Sequence, residues 1–361
     1  MSYRTTTYKD EGRLAHMLLS HNRIVLPCLI SFMLMLSENA FCQKQTVYQF
    51  AGVQTSARAA AMGGTPVAIA EPDLGLGSTN PAFLSLLKDS KIAADYVNYV
   101  SDISIGHVSY CFTDKKIPGT LAVGLQYLNG GENTRYDKDG NEAGDFSSNE
   151  FAINLSYARQ FDSAFSIGAT VKPVLSYIGG YSSIGLLADI SANYVANDNR
   201  TALSLLVRNV GSQLTAYYDE YGRVPFDIQM AISHQLEHAP FRISFVLQSL
   251  QKFKLEPSKN NSAEQGSEVK HDKNTAPSFI NNTLRHCVFG VELFPGKAFN
   301  IRAGYNFKRR QELKLDNAGG LSGISLGFGL KLKRFSVEYA MAKYTLSGTS
   351  NHFSLMINLP Q

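Results

Sequence analysis

Between Lys91 and Leu359 the chain alternates large apolar residues with small or polar ones in fourteen separate runs. The stretch FAINLSYARQFDSAFSIGATVKP, residues 151–173, shows the pattern most fully. Phe151, Ile153, Leu155 and Tyr157 alternate with Ala152, Asn154, Ser156 and Ala158. After a short break, Phe165, Ile167, Ala169 and Val171 resume it against Ser166, Gly168, Thr170 and Lys172. Successive side chains of a strand point to opposite faces, so each run is a strand with one apolar face. The runs begin near Lys91, Ile103, Thr120, Phe151, Phe165, Gly185, Ala202, Asp227, Phe241, His286, Phe299, Gly323, Phe335 and Asn351. Their length approaches the ~9–11 residues of a tilted strand that crosses a membrane. An even strand number is also what a bacterial single-chain barrel requires.

The connections separate a barrel from a soluble sheet. Those after even-numbered runs are short: TDKKIPG, QFDSA, ANDNR, LEHAP, PGKA and LKR. Those after odd-numbered runs are mostly longer, including residues 129–150, residues 308–321 and a polar loop over 250–285, with VSD as the exception. This parity puts every short turn at one end, as in transmembrane barrels with short periplasmic turns and long external loops. The second face is also wrong for water. In ISLGFGLK, Ser325, Gly327 and Gly329 alternate with Ile324, Leu326, Phe328 and Leu330, and small residues of this kind suit a concave lumen. Among them stand Lys172, Asp189, Arg242, Glu292, Arg302, Lys331 and Glu338, candidate lumen charges that either mark a substrate path or brace the wall in pairs. Tyr127, Phe151, Tyr157, Phe165, Phe299, Phe307 and Phe335 fall at strand ends, where interfacial girdles belong. The expected fold is an all-β transmembrane barrel of fourteen antiparallel strands spanning 91–361, apolar face towards lipid, with closure removing the sheet edges. Its place is the bacterial outer membrane, long loops outward.

Residues 1–42 read as a signal peptide: Arg23 supplies the positive flank, Ile24 to Leu36 the apolar stretch, and Ala40-x-Cys42 the cleavage site, with Met17 as an alternative start. Residues 43–90 lack the alternation. The stretch TSARAAAMGGTPVAIAEPDLGLGSTNPAFLS is rich in small residues and turns, and is expected to plug the lumen as a hatch or to cap the barrel from the periplasm. The formal charge of +4 gives no electrostatic case for nucleic acid.

Motifs that resemble chemistry have simpler readings. HQLEH, His234 to His238, matches an H-x-x-E-H zinc pattern, but that chemistry needs a helix, and Pro240 follows a strand pattern here. GLGSTN at Gly75 lacks the preceding strand of a nucleotide loop. DKDGNE at Asp137 lacks the residues of a calcium loop and reads as a hairpin turn at Asp139-Gly140. No catalytic, cofactor-binding or metal-ligating set is assigned, and the chain is not expected to be an enzyme.

SARAAAMGG followed by Asn80-Pro81-Ala82 resembles the start of the FadL family of outer-membrane hydrophobic-compound transporters. In that family a fourteen-stranded barrel carries an N-terminal hatch with an Asn-Pro-Ala signature. RVPFDIQMAIS, HAPFRISF, LRHCVFGVELFP and AGYNFKRRQEL look like the PorV/FadL-like barrels of the type IX secretion system of Bacteroidetes, and the similarity runs from about Val47 to Leu359. The resemblance implies a non-catalytic role in the attachment complex that links secreted cargo to anionic lipopolysaccharide. The partners implied are outer-membrane lipid, lipopolysaccharide and a PorZ-like surface protein, with PorU and PorV in the same complex. The alternative is a FadL-type transporter of long-chain fatty acids or other hydrophobic compounds. A transporter predicts a continuous apolar pocket behind the hatch and a wall opening at a kinked strand. A scaffold predicts a lumen crossed by charge pairs such as those among Arg242, Glu292 and Arg302.

Overall fold

The computed structural model describes residues 46–65, 68–114, 116–218, 220–252, 255, 279–313, 322–345 and 348–359. The signal peptide and most of the 250–285 loop lie outside them. Fourteen antiparallel strands close into one barrel in which each strand pairs with its sequence neighbours and the first pairs with the last. They are β1 (Lys91–Val100), β2 (Ile103–Thr113), β3 (Thr120–Tyr136), β4 (Glu142–Gln160), β5 (Phe165–Ile178), β6 (Tyr181–Val195) and β7 (Thr201–Thr215). The second half comprises β8 (Asp227–Gln235), β9 (Phe241–Leu247), β10 (Cys287–Leu293), β11 (Phe299–Asn306), β12 (Ile324–Lys331), β13 (Phe335–Ala342) and β14 (Ser350–Asn358). The barrel closes in register from Lys91 opposite Asn358 to Asn98 opposite Asn351. No sheet edge is then left for lipid to meet.

The alternation decides which face is wet. On β4, Ile153, Leu155 and Tyr157 point outward and are exposed, while Ala152, Asn154, Ser156 and Ala158 are buried inside. The same holds around the wall, from Val108 and Leu125 to Phe328 and Leu355. Such a continuous apolar surface is compatible with lipid and not with water. Tyr127 stacks on Phe151 at 4.7 Å at the outer edge of this band.

The two halves differ in height. β3 to β7 run 14 to 19 residues, whereas β8 to β14 run 7 to 9. This corrects the expectation of a long loop over 129–150. That stretch is the continuation of β3 and β4, and they turn at Asp137–Asn141, where the Asp137 carboxylate accepts from the Asp139 and Asn141 amides at 2.9 Å. β6 likewise begins at Tyr181 rather than Gly185, leaving Gly179 and Gly180 as the turn. Above the membrane neither face must be apolar, so the alternation that reveals a strand within lipid disappears.

Inside the barrel lies the hatch. Its described part starts at Thr46, bridged to Arg223 in the external β7–β8 connection, and ends where β1 begins at the short-turn end. It contains a 3-10 turn (Gln49–Gly52), α1 (Ala57–Ala61), α2 (Leu74–Thr79) and a second 3-10 turn (Pro81–Leu86). Asp73 caps α2 by accepting from the Leu76 amide at 3.2 Å. Pro81 opens the following 3-10 turn, where its missing N–H leaves no bond unmade.

Candidate functional site: an ion-paired hatch in the lumen

Small residues on both sides bring the hatch against the wall. α1 is built almost wholly of alanine and lies on β11 to β14. A Cβ at Gly304 would strike the Gly63 amide, and one at Gly327 would meet Ala61 at 2.6 Å. The Ala57 amide donates to Ser354 Oγ at 2.9 Å. On the other side, Asn80-Pro81-Ala82 presses against β5 to β7. A Cβ at Gly168 would collide with the Pro81 carbonyl carbon and the Ala82 amide. Asn80 Nδ2 donates to Ser204 Oγ at 2.6 Å, and the Ala82 amide donates to Ser191 Oγ at 2.8 Å. The Asn-Pro-Ala residues therefore serve as the hatch's anchor to the wall. At the external end, Tyr48 and Phe50 pack on Ala152, Val174 and Leu187, with Tyr48 Oη 2.5 Å from Ser183 Oγ.

Polar contacts concentrate near the short-turn end. Glu292 on β10 is fully buried and receives three arginines. Arg58 of α1 donates at 2.9 and 3.0 Å, Arg242 of β9 at 2.6 Å and Arg302 of β11 at 2.8 Å. Arg58 also pairs with Glu71 at 3.0 Å and Asp73 at 3.1 Å. Arg242 reaches Glu71 at 2.6 Å, and Arg302 reaches Glu338 at 3.0 Å. Three guanidiniums thus face four carboxylates, so each of these three buried cations is matched. Burial opposes ionisation of Glu71, but Arg58 and Arg242 outweigh it and hold its carboxyl well below the usual carboxylate range. Burial likewise opposes the Arg58 charge, and Glu292, Glu71 and Asp73 override it. The cavity beside this network, lined by Arg58, Glu71, Arg302 and Glu338, holds about 20 Å³, room for about one water.

Of the expected lumen charges, Arg242, Glu292, Arg302 and Glu338 meet in this network. Lys331 lines the same small cavity from the end of β12. Lys172 and Asp189 form a separate pair at 2.7 Å, and both bond Asn209. They sit behind an irregularity in the wall: the β6–β7 register shifts between Ala188 and Ile190, and Asn209 has a φ of 54°. Arg58, Glu71 and Asp73 escaped the sequence reading because the hatch has no periodicity to say which residues face inward. The available signal was the excess of cations among the expected lumen charges, Lys172, Arg242, Arg302 and Lys331 against Asp189, Glu292 and Glu338. His234 lies one residue before the end of β8 and bonds Thr201, while Glu237 pairs with Arg200 in an exposed turn, so HQLEH does not form a helix face.

No family model matches the chain, and no curated protein matches its sequence. Among solved structures, the chain is similar to the deltaS2 mutant of TodX, a monoaromatic hydrocarbon channel, with a TM-score of 0.51 and 12% identity over 85% of this chain and 100% of that one. The fold is that of a FadL-type outer-membrane barrel. The Pseudomonas putida toluene transporter TodX aligns at 10% identity over 87% of this chain and 98% of its own, TM-score 0.48. The Acinetobacter baumannii outer membrane protein Omp33 aligns at 8% identity over 75% and 98%, TM-score 0.35. At such identities the likeness is one of fold. A FadL-type barrel with this apolar girdle is an integral outer-membrane protein, with its short turns in the periplasm and its long connections outside.

Proposed function

We propose that this protein is a non-catalytic outer-membrane scaffold of the PorQ kind, acting in type IX secretion. Its external wall would hold a PorZ-like surface protein of the complex that, with PorU and PorV, links cargo to anionic lipopolysaccharide. The observation that carries the scaffold reading is the charge network. Arg58, Glu71 and Asp73 of the hatch and Arg242, Glu292, Arg302 and Glu338 of the wall form one connected chain of ion pairs across the lumen. Such a network favours a fixed hatch over a path for apolar solutes. The secretion role itself rests on the resemblance of the stretches 223–245 and 284–313 to type IX barrels.

A second reading, passage of hydrophobic compounds, has its own support. The fold likeness to TodX favours it over the secretion role, and the β6–β7 register shift is the place in the wall where a lateral opening would form. Proteomics of surface and supernatant fractions from a strain lacking this gene separates the two. A scaffold gives cargo that loses surface attachment or keeps its sorting domain. Normal cargo attachment combined with reduced uptake of long-chain fatty acids or toluene-like compounds would replace the scaffold with the channel.

A further inference from the structure

We propose that the lipid face of β2 to β5 carries a binding site for one anionic phospholipid of the periplasmic leaflet. The outward face is not uniform there. Between Ile167 and Val171 on β5 stands Ala169, opposite Tyr157 on β4, where its neighbours on the face are mostly large. The missing bulk leaves an apolar groove of about 520 Å³, lined by Phe112, Leu121, Val123, Leu155, Tyr157 and Ala169. Tyr157 is locked as one wall, because its hydroxyl donates to the Pro118 carbonyl at 2.6 Å.

The groove lies towards the short-turn end, and the next outward residue of β4 in that direction is Arg159. Arg159 is exposed, and its guanidinium carbon lies 5.7 Å from the Phe161 ring. Among the described residues it makes no ion pair. The nearby acidic groups are occupied within their own turns. Asp162 accepts from the Ala164 and Phe165 amides at 2.8 and 2.7 Å, and Asp114 accepts from the Lys116 amide at 2.9 Å. An apolar groove with an exposed cation one outward position beyond its Tyr157 wall matches a phospholipid, acyl chain in the groove and phosphate reaching Arg159. A net negative headgroup adds attraction that a zwitterionic one lacks.

The chain has no tryptophan, so single reporters are clean. Phe112→Trp places one on the groove rim. Phe328→Trp places another on β12, which lies seven strands from β5 around the barrel. Each variant, purified as the folded species, is reconstituted in phosphatidylcholine vesicles containing increasing brominated phosphatidylglycerol. Half-maximal quenching of the Phe112→Trp reporter is expected at an about fivefold lower mole fraction than that of Phe328→Trp, the factor for one basic group near an anionic lipid. Adding Arg159→Gln should erase the difference, and so should Ala169→Phe, which fills the groove and keeps the charge. Equal quenching of both reporters would overturn the site. So would a preference that survives both substitutions, or the same enrichment with brominated phosphatidylcholine.

Discussion

Glu292 takes hydrogen bonds from arginines on the hatch, on β9 and on β11, and its neutral form would remove the one carboxylate that all three buried cations share. Removing one member of such a group typically costs about 3–5 kcal/mol. For Glu292→Gln the expected outcome is loss of amide-exchange protection over residues 56–86 while the strands keep theirs, measured by mass spectrometry in detergent. Acid should act on the same contacts through Glu71. In the free hatch Glu71 titrates near its ordinary value of 4.5, and in the docked hatch it titrates lower. The undocked state therefore binds more protons as pH falls. The contribution of Glu71 to docking is complete above about pH 4.5 and drains away on acidification below it. Hatch exchange compared at pH 7, 5 and 3 checks this, and a Glu71→Gln variant should flatten that part of the profile.

At the scale of elements, the contacts are steric as much as ionic. Gly168 leaves room for the Asn-Pro-Ala backbone, so a side chain there must push the hatch or the strand. Overpacking costs about 1–3 kcal/mol. Gly168→Leu should lower the thermal midpoint and expose the 80–86 segment to protease, whereas Ser204→Ala, which removes one acceptor of Asn80, should do so mildly. The β3–β4 hairpin is a different kind of element, because it stands clear of the membrane. Replacing residues 133–145 by a two-residue turn should leave heat-modifiable gel mobility intact. If the wall is the docking surface, capture of the PorZ-like partner falls.

How much of this was readable in the sequence follows the location of the lipid. Where strands cross it, Phe151 to Tyr157 announced both strand and face, and the starts of most strands were found within a residue or two. Where β3 and β4 rise above it, the turn at Asp139-Gly140 was readable, but Gly130, Gly131 and a run of polar residues hid the strands that lead to it. The wall half of the charge network was visible because Arg242, Glu292 and Arg302 break an otherwise small-residue face. The hatch half was not, since the orientation of Arg58 and Glu71 is set by tertiary contact alone.

For the whole molecule, the expected electrical state is closed. In planar bilayers the wild-type barrel should carry little ion current, and Glu292→Gln should open conducting bursts by freeing the hatch. The anchors also have a mechanical meaning. The Ala-rich helix is seated around β12 and the Asn-Pro-Ala turn around β5, which lie seven strands apart either way around the closed wall. They stand at opposite ends of a diameter. An empty barrel is a hoop that lateral pressure can flatten into an ellipse. This one is braced like a spoked wheel, and its cross-section is expected to resist flattening as the surrounding bilayer is squeezed or stretched.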